Sequence, residues 1–188
     1  YEGETSDEFE SYYDWTIEVS KPSESDLAHV IDQDLFSDLG PGKRRTFTNS
    51  AWPFDLVVSN YARNTWPVRE QGGEGGLAID GFRLETLPPE KEAEINLPGV
   101  YATIIDKQSG EKTDGILWGM ATQPLTVTAG GEDWTVGLAR KRWKVPFTVT
   151  LDDFIRELHP GTDMPASFES YITKAETGQP DEKIHIYM

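Results

Sequence analysis

The sequence predicts a mainly β domain, an antiparallel β-sandwich or barrel-like fold with one inserted α-helix at about 25–39. Short apolar runs with the two-residue alternation of half-buried strands recur along most of the chain. Clusters of Gly, Pro, Asn and Asp separate these runs, as turns require. Segments 106–111 and 175–180 have the composition of hairpin loops, which join neighbouring antiparallel strands.

The first predicted strand is segment 14–20, where Trp15, Ile17 and Val19 alternate with polar residues and should form one buried face. Further apolar and β-branched runs predict strands along the rest of the chain. They lie at 54–58, 77–79, 100–105, 116–121, 134–138, 147–151, 168–173 and 184–187.

The predicted helix follows the first strand. Leu27, Val30, Ile31 and Leu35 have the spacing of one face of a helix, and Ser23 or Ser25 can cap its first turn. Gly40 followed by Pro41 would end it.

Length and composition indicate a folded domain. The chain has 188 residues, 37% of them hydrophobic and 11% aromatic, which is too apolar for a disordered segment. Its net charge of −16 repels nucleic acid phosphates and anionic lipid headgroups, so a role on nucleic acid or on a membrane surface is disfavoured. Partners are therefore expected to be basic or neutral. Insertion in a membrane is not expected, because no apolar run is long enough to span one.

The chain is expected to be one domain, 1–188, cut from a longer protein, because it opens without Met and stops inside an alternating apolar pattern. Segment 53–67 matches segment 146–160 position by position, starting from Pro53-Phe54 and Pro146-Phe147. This similarity predicts two related β modules, at 14–120 and 133–188. The Gly-rich run 71–76 is interpreted as a flexible loop, because no phosphate-binding Gly-Lys-Ser or Gly-Lys-Thr follows it.

No catalytic signature stands out. There is no cysteine and no Gly-x-Ser-x-Gly, and the three histidines, His29, His159 and His185, do not have the spacing of a metal site. We therefore expect that this chain is not an enzyme and that it holds no metal.

Two alternatives stay open. Asp152, Asp153 and Glu157 could form the carboxyl pair of a glycoside hydrolase-like domain, although 33 acidic residues make some such pair expected on any surface. The second alternative is a carbohydrate-binding β-sandwich, because exposed aromatic rings can stack on sugars. Core packing is the simpler explanation for Trp15, Phe54, Trp134 and Phe147.

A basic run contrasts with the acidic remainder. It comprises Arg140, Lys141, Arg142, Trp143 and Lys144. Arg and Trp are favoured at interaction hot spots, so the run is a candidate docking stripe for a partner or for haem propionates. Alternatively, these cations pair with the first 40 residues, which hold twelve acidic side chains.

After the basic run, a series of further motif elements follows along the chain. They are Pro146-Phe147, Asp153-Phe154, Pro160-Gly161-Thr162, Ser170 and the final run 184–188. With these elements in this order, the chain from residue 134 onward resembles the ResB-like family of cytochrome c biogenesis proteins.

The resemblance implies an extracytoplasmic, β-rich part of a membrane-anchored protein in system II cytochrome c biogenesis. It implies a CcsA-like membrane partner and apocytochrome c as partners, with haem a possible cofactor of the full-length protein and none in this domain. His159 and His185 are the candidate haem contacts here. Because the segment has no cysteine, it could hold an apocytochrome only noncovalently, by docking or scaffolding.

Overall fold

The computed structural model describes residues 1–24, 27–70 and 77–187. They divide into a large unit, Ser11–Lys141, and a small unit formed by Tyr1–Glu10 with Arg142–Met188. The fold is mainly β, as predicted. In chain order the strands are β1 (Thr5–Ser20), β2 (His29–Asp32), β3 (Arg44–Thr48), β4 (Phe54–Ala62), β5 (Thr65–Arg69), β6 (Phe82–Thr86), β7 (Gly99–Asp106), β8 (Lys112–Trp118), β9 (Leu125–Ala129), β10 (Glu132–Leu158), β11 (Pro165–Ala175) and β12 (Glu182–Tyr187). β1 and β10 each run through both units.

The large unit is a β-sandwich. One sheet has the order β3-β4-β7-β8, and all its pairs are antiparallel. The other contains β2 against the second half of β1, and β9 against the first part of β10. β5 and β6 form a separate antiparallel pair. The strand orders of the described residues are open paths, so the sandwich form of the prediction holds and the barrel-like form does not.

Alternate residues of the two sheets form the core between them, as period-two alternation requires. Trp15, Ile17 and Val19 of β1 are buried, so the first predicted strand and its buried face are confirmed. The other core residues on strands are Ile31, Phe54, Leu56, Val58, Val100, Ala102, Ile104, Leu117, Val127, Ala129, Trp134, Val136 and Leu138.

The predicted helix at 25–39 is wrong. Residues 25 and 26 lie outside the described residues, and the rest of the segment includes β2 and the 3-10 turn Gln33–Leu35. β-branched Val30 and Ile31 pair with β1, and Ile31 packs in the core. The apolar positions that suggested a helical face point elsewhere: Leu27 is 72% and Leu35 47% exposed. Pairing with β1 therefore outweighed a weak helical pattern.

The two predicted hairpin loops are confirmed, since β7 pairs with β8 and β11 with β12. The predicted strand at 77–79 reduces to a single bridge between Ile79 and Phe82. Strands β3, β5, β6 and β9 were not predicted. The run 71–76, interpreted as a flexible loop, lies outside the described residues, and the predicted relation between 14–120 and 133–188 stays a prediction.

The small unit is a single sheet. β12 pairs with β11, and β11 pairs with the second part of β10. On the other side of β10, the amide N–H groups of Gly3 and Leu151 donate to the carbonyls of Leu151 and Glu4, at 2.7 and 3.1 Å. None of the described helices in either unit is long and apolar enough to cross a membrane.

Candidate functional site

One face of the small unit's sheet is mainly apolar, and Arg156, Lys174 and Glu182 lie on the same side. Lys174 Nζ lies 4.8 Å from the centre of the Phe147 ring. The registers Leu151↔Ile172↔Ile184 and Phe154↔Ser170↔Ile186 align these side chains across three strands. Directly opposed residues of a sheet point to the same side. The apolar residues that share this face are Phe147, Val149, Leu151, Phe154, Phe168, Ile172, Ile184 and Ile186. We call this set the apolar face.

The apolar face is partly exposed: Phe154 and Ile186 are exposed, and its other six residues are half-buried. Phe154 is 45% and Ile186 47% exposed, and none of the described residues of the small unit is fully buried. The rings of Phe154 and Phe168 stack with centroids 6.1 Å apart, and Phe168 is half-buried. A cleft of about 590 Å³ beside Phe154 is lined by Tyr1, Glu2, Leu151 and Phe154. A sheet normally buries one face against a second layer, so this face is suited to receive one.

The opposite face carries a polar and aromatic cluster of four residues, Glu169, Tyr171, His185 and Tyr187, which we call the His185 cluster. The imidazole stacks on the Tyr171 ring with centroids 4.3 Å apart and planes inclined by 4°. The His185 Nε2 and Glu169 Oε2 atoms are 2.8 Å apart, and the Tyr171 hydroxyl donates to the same carboxylate oxygen at 3.1 Å. This hydrogen bond raises the pKa of Tyr171, since the carboxylate stabilises the protonated phenol.

Within the large unit, Arg140 and Lys141 of the basic run have intramolecular partners. The Arg140 guanidinium donates to the carbonyls of Ser11, Tyr12 and Glu94 and lies 4.8 Å from the centre of the Trp15 ring. Lys141 Nζ donates to Asp32 Oδ1 at 2.6 Å, which raises the pKa of the lysine.

Within the small unit, Arg142 forms an ion pair with Glu8 at 3.6 Å, and the Trp143 ring stacks on Phe9 with centroids 6.0 Å apart. Trp143 remains 40% exposed and Lys144 is exposed. The expected pairing with the acidic first 40 residues is thus present at Asp32 and Glu8. A docking role for the run stays a prediction.

The candidate haem contacts lie apart from the clefts. His159 is exposed in the turn between β10 and β11, where its backbone N–H donates to the Met164 carbonyl. His185 belongs to the His185 cluster. A second small-unit groove, of about 520 Å³, is lined by Val145, Pro146, Phe147 and their neighbours and includes no histidine. Among the described residues, no group of three or more His, Asp or Glu side chains is placed to hold a metal ion.

The large unit has a cleft of about 310 Å³ beside Tyr61, Arg63 and Tyr101. Burial raises the pKa of Tyr61. The described lining residues include no carboxylate, whereas a glycoside hydrolase needs two. Asp152 and Glu157 instead accept hydrogen bonds from Thr173 and Ser167.

The tryptophans give no flat sugar-binding row in the described chain. Trp15, Trp52 and Trp134 are buried, as core packing predicts for Trp15 and Trp134. Trp66 is 49% exposed but meets Trp118 edge to face, with planes 82° apart. Trp143 is 40% exposed and stacks on Phe9 in the small unit.

Most residues that carry the ResB-like resemblance lie in the β10–β11 hairpin and its turn, and residues 184–187 of the final run are on β12. Gly161 has a φ of 77° in that turn, and the Thr162 hydroxyl donates to the His159 carbonyl. The backbone N–H of Phe154 donates to Glu2, and Ser170 lies opposite Phe154. Pro146, Phe147 and Asp153 are on β10, and Pro160 precedes Gly161.

No protein-family model matches the chain, and no curated protein matches it. The resemblance therefore depends on the motif residues themselves. Neither the apolar face nor the His185 cluster was predicted from the sequence. Their signal was present in segment 167–173, where Phe168, Ser170 and Ile172 alternate with Glu169 and Tyr171.

Proposed function

We propose that this chain is a non-catalytic docking domain, the extracytoplasmic part of a ResB-like membrane protein in cytochrome c biogenesis. The observation that carries the proposal is the apolar face, a sheet surface whose side chains are partly exposed in a unit without a buried core. Burying apolar surface contributes about 25 cal/mol per Å², so each apolar residue that a partner covers stabilises the complex. The family-like hairpin forms much of the same sheet.

Charge selects the kind of partner. With a net charge of −16, the chain attracts basic proteins and repels a second copy of itself. A lysine-rich apocytochrome c fits this requirement, and so does a basic surface of a CcsA-like membrane partner. Since the segment has no cysteine, the interaction is noncovalent.

We propose that haem is handled by other parts of the full-length protein. In support, His29, His159 and His185 are all exposed and none of them lines the three clefts described above. A titration with ferric and ferrous haem tests this assignment: a saturable Soret shift that is lost in His159→Ala or His185→Ala would overturn it.

Calorimetry with a lysine-rich apocytochrome c peptide tests the docking function. We expect saturable binding whose affinity falls as salt rises from about 20 to about 200 mM, because salt screens charge attraction between exposed groups. The same peptide with glutamate in place of lysine should not bind.

A variant pair locates the surface. Phe154→Asp should weaken binding about tenfold or more, as loss of a hot-spot aromatic does. Met120→Asp is the matched control, since Met120 is 60% exposed in the large unit and lies outside the apolar face. Absent binding, binding unaffected by salt, or equal effects of the two variants would contradict the proposed function.

A further inference from the structure

β12 stands at the end of the small unit's strand order, with β11 on one side. An edge strand presents unpaired N–H and C=O groups that can pair with an extended peptide. We propose that the β12 edge accepts an extended segment of the partner, alternating apolar and basic residues, as an added strand of this sheet. The inference builds on the proposed docking function and specifies the partner segment and the way it binds.

The β12 edge carries charge only at its start, at Glu182 and Lys183, as β3 does at Arg44 and Arg45. The strand at the opposite end of the order, β2, has only four residues. Charged side chains and short length both discourage added strands. The last four residues of β12, Ile184 to Tyr187, include no Lys, Arg, Asp, Glu or Pro. Its backbone is therefore open to pairing along this stretch.

The apolar side of β12 sets one half of the partner's pattern. Ile184 and Ile186 point to the apolar face, and Ile186 is 47% exposed. Side chains of an added strand would lie about 5 Å from them. Alternate residues of the partner segment should therefore be apolar, which would extend the apolar face by one strand.

The polar side of β12 determines the other alternate residues of the partner segment. Tyr187 is 76% exposed and lies opposite Glu169, whose carboxylate also contacts His185. A lysine or arginine on an added strand beside Tyr187 would meet the ring face and the carboxylate together, and both attract a cation. Lys183, on the same side at the start of β12, repels a cation there. The basic residues should therefore align with His185 and Tyr187.

The probe is a ten-residue peptide that alternates lysine and valine, titrated into the full chain. A block peptide with the same composition, five lysines followed by five valines, is the control for charge alone. We expect the alternating peptide to bind more tightly by about tenfold, because only this order matches both faces of β12. Equal affinities would overturn the inference.

Backbone methylation tests strand addition directly. Successive residues of a strand direct their N–H groups to opposite edges. One alternating peptide is N-methylated at every lysine and a second at every valine. One of the two should lose binding by about tenfold or more while the other keeps it, since an added strand pairs along one edge only. Equal binding of both peptides would show face-on attachment and overturn the inference.

Two isosteric Glu→Gln variants test the acidic side of β12. Glu169→Gln should weaken binding of the alternating peptide about fivefold, whereas Glu182→Gln, the same charge change on the apolar side of β12, should change it less than about twofold. Equal effects would indicate only long-range attraction and count against the proposed alignment. If these peptides fail while the apocytochrome peptide still binds through Phe154, the inference falls and the docking function stands. If neither peptide binds, both fall.

Discussion

The rings of Phe54 and Trp134 meet edge to face in the core of the large unit, with ring centroids 5.5 Å apart and planes inclined by 83°. Phe54 is on β4 and Trp134 on β10, so this aromatic pair joins the two sheets of the sandwich. Both side chains are buried. Edge-to-face pairs add to the free energy gained by burial alone.

Phe54→Ala should therefore lower the free energy of unfolding by about 3–5 kcal/mol, since it removes the ring contact and leaves a cavity. Chemical denaturation measures the change. Phe154→Ala is the matched control: its ring is 45% exposed, so the cost should stay near about 1 kcal/mol. Similar losses in both variants would mean that Phe54 does not hold the sheets together.

Arg140 should stabilise the large unit through its guanidinium, which satisfies three backbone carbonyls and lies over Trp15. Arg140→Met keeps most of the apolar stem but removes the donors, and we expect a loss of about 1–3 kcal/mol. Arg140→Lys should recover little of this stability, because an ammonium group cannot reproduce the planar array of donors of a guanidinium.

Thermal or chemical unfolding measures these effects, and Arg44→Met is the control at an exposed position. If Arg140→Met leaves stability unchanged but abolishes binding of the apocytochrome peptide, Arg140 belongs to a docking stripe instead.

Asp106 should make stability depend on pH. Its carboxylate accepts hydrogen bonds from the backbone N–H groups of Gln108, Ser109 and Gly130 and from the Ser109 hydroxyl, and these bonds lower its pKa. Because the folded state prefers the charged form, its contribution is present above the unfolded-state pKa and is lost as pH falls through the folded pKa.

Asp106→Asn should therefore lower stability at neutral pH and reduce the fall in stability on acidification. Denaturant midpoints between about pH 7 and about pH 2 measure both effects. Asp181→Asn, at an exposed position near the β11–β12 loop, is the control. An unchanged pH profile in Asp106→Asn would contradict the assigned role.

Gly119 should tolerate no side chain. A Cβ at this position would lie 2.6 Å from the Trp15 ring and 3.1 Å from Pro98. Gly119→Ala should cost about 1–3 kcal/mol, as overpacking does, and red-shifted or quenched tryptophan fluorescence should report the displaced ring. Gly40→Ala is the matched control, because nothing lies within 4 Å of its Cβ position. Equal stability of the two variants would show that Trp15 can move freely.

The alternation of apolar residues was enough to predict a mainly β, antiparallel fold, because side-chain period reports burial directly when one face of a strand meets the core. It predicted the buried faces of β1 and β4 and the hairpins that follow β7 and β11. The same sequence contained the residues of the apolar face and of the His185 cluster.

Tertiary pairing decided the rest. The segment around Ile31 has a helical spacing, but its pairing with β1 made it a strand, since sheet propensity depends on neighbours that local pattern does not specify. Likewise, Tyr171 and His185 are distant in sequence, and only the β11–β12 register brings their rings together. The sequence by itself determined which residues alternate, whereas the tertiary structure decided which alternating faces are covered, because burial depends on contacts between distant strands.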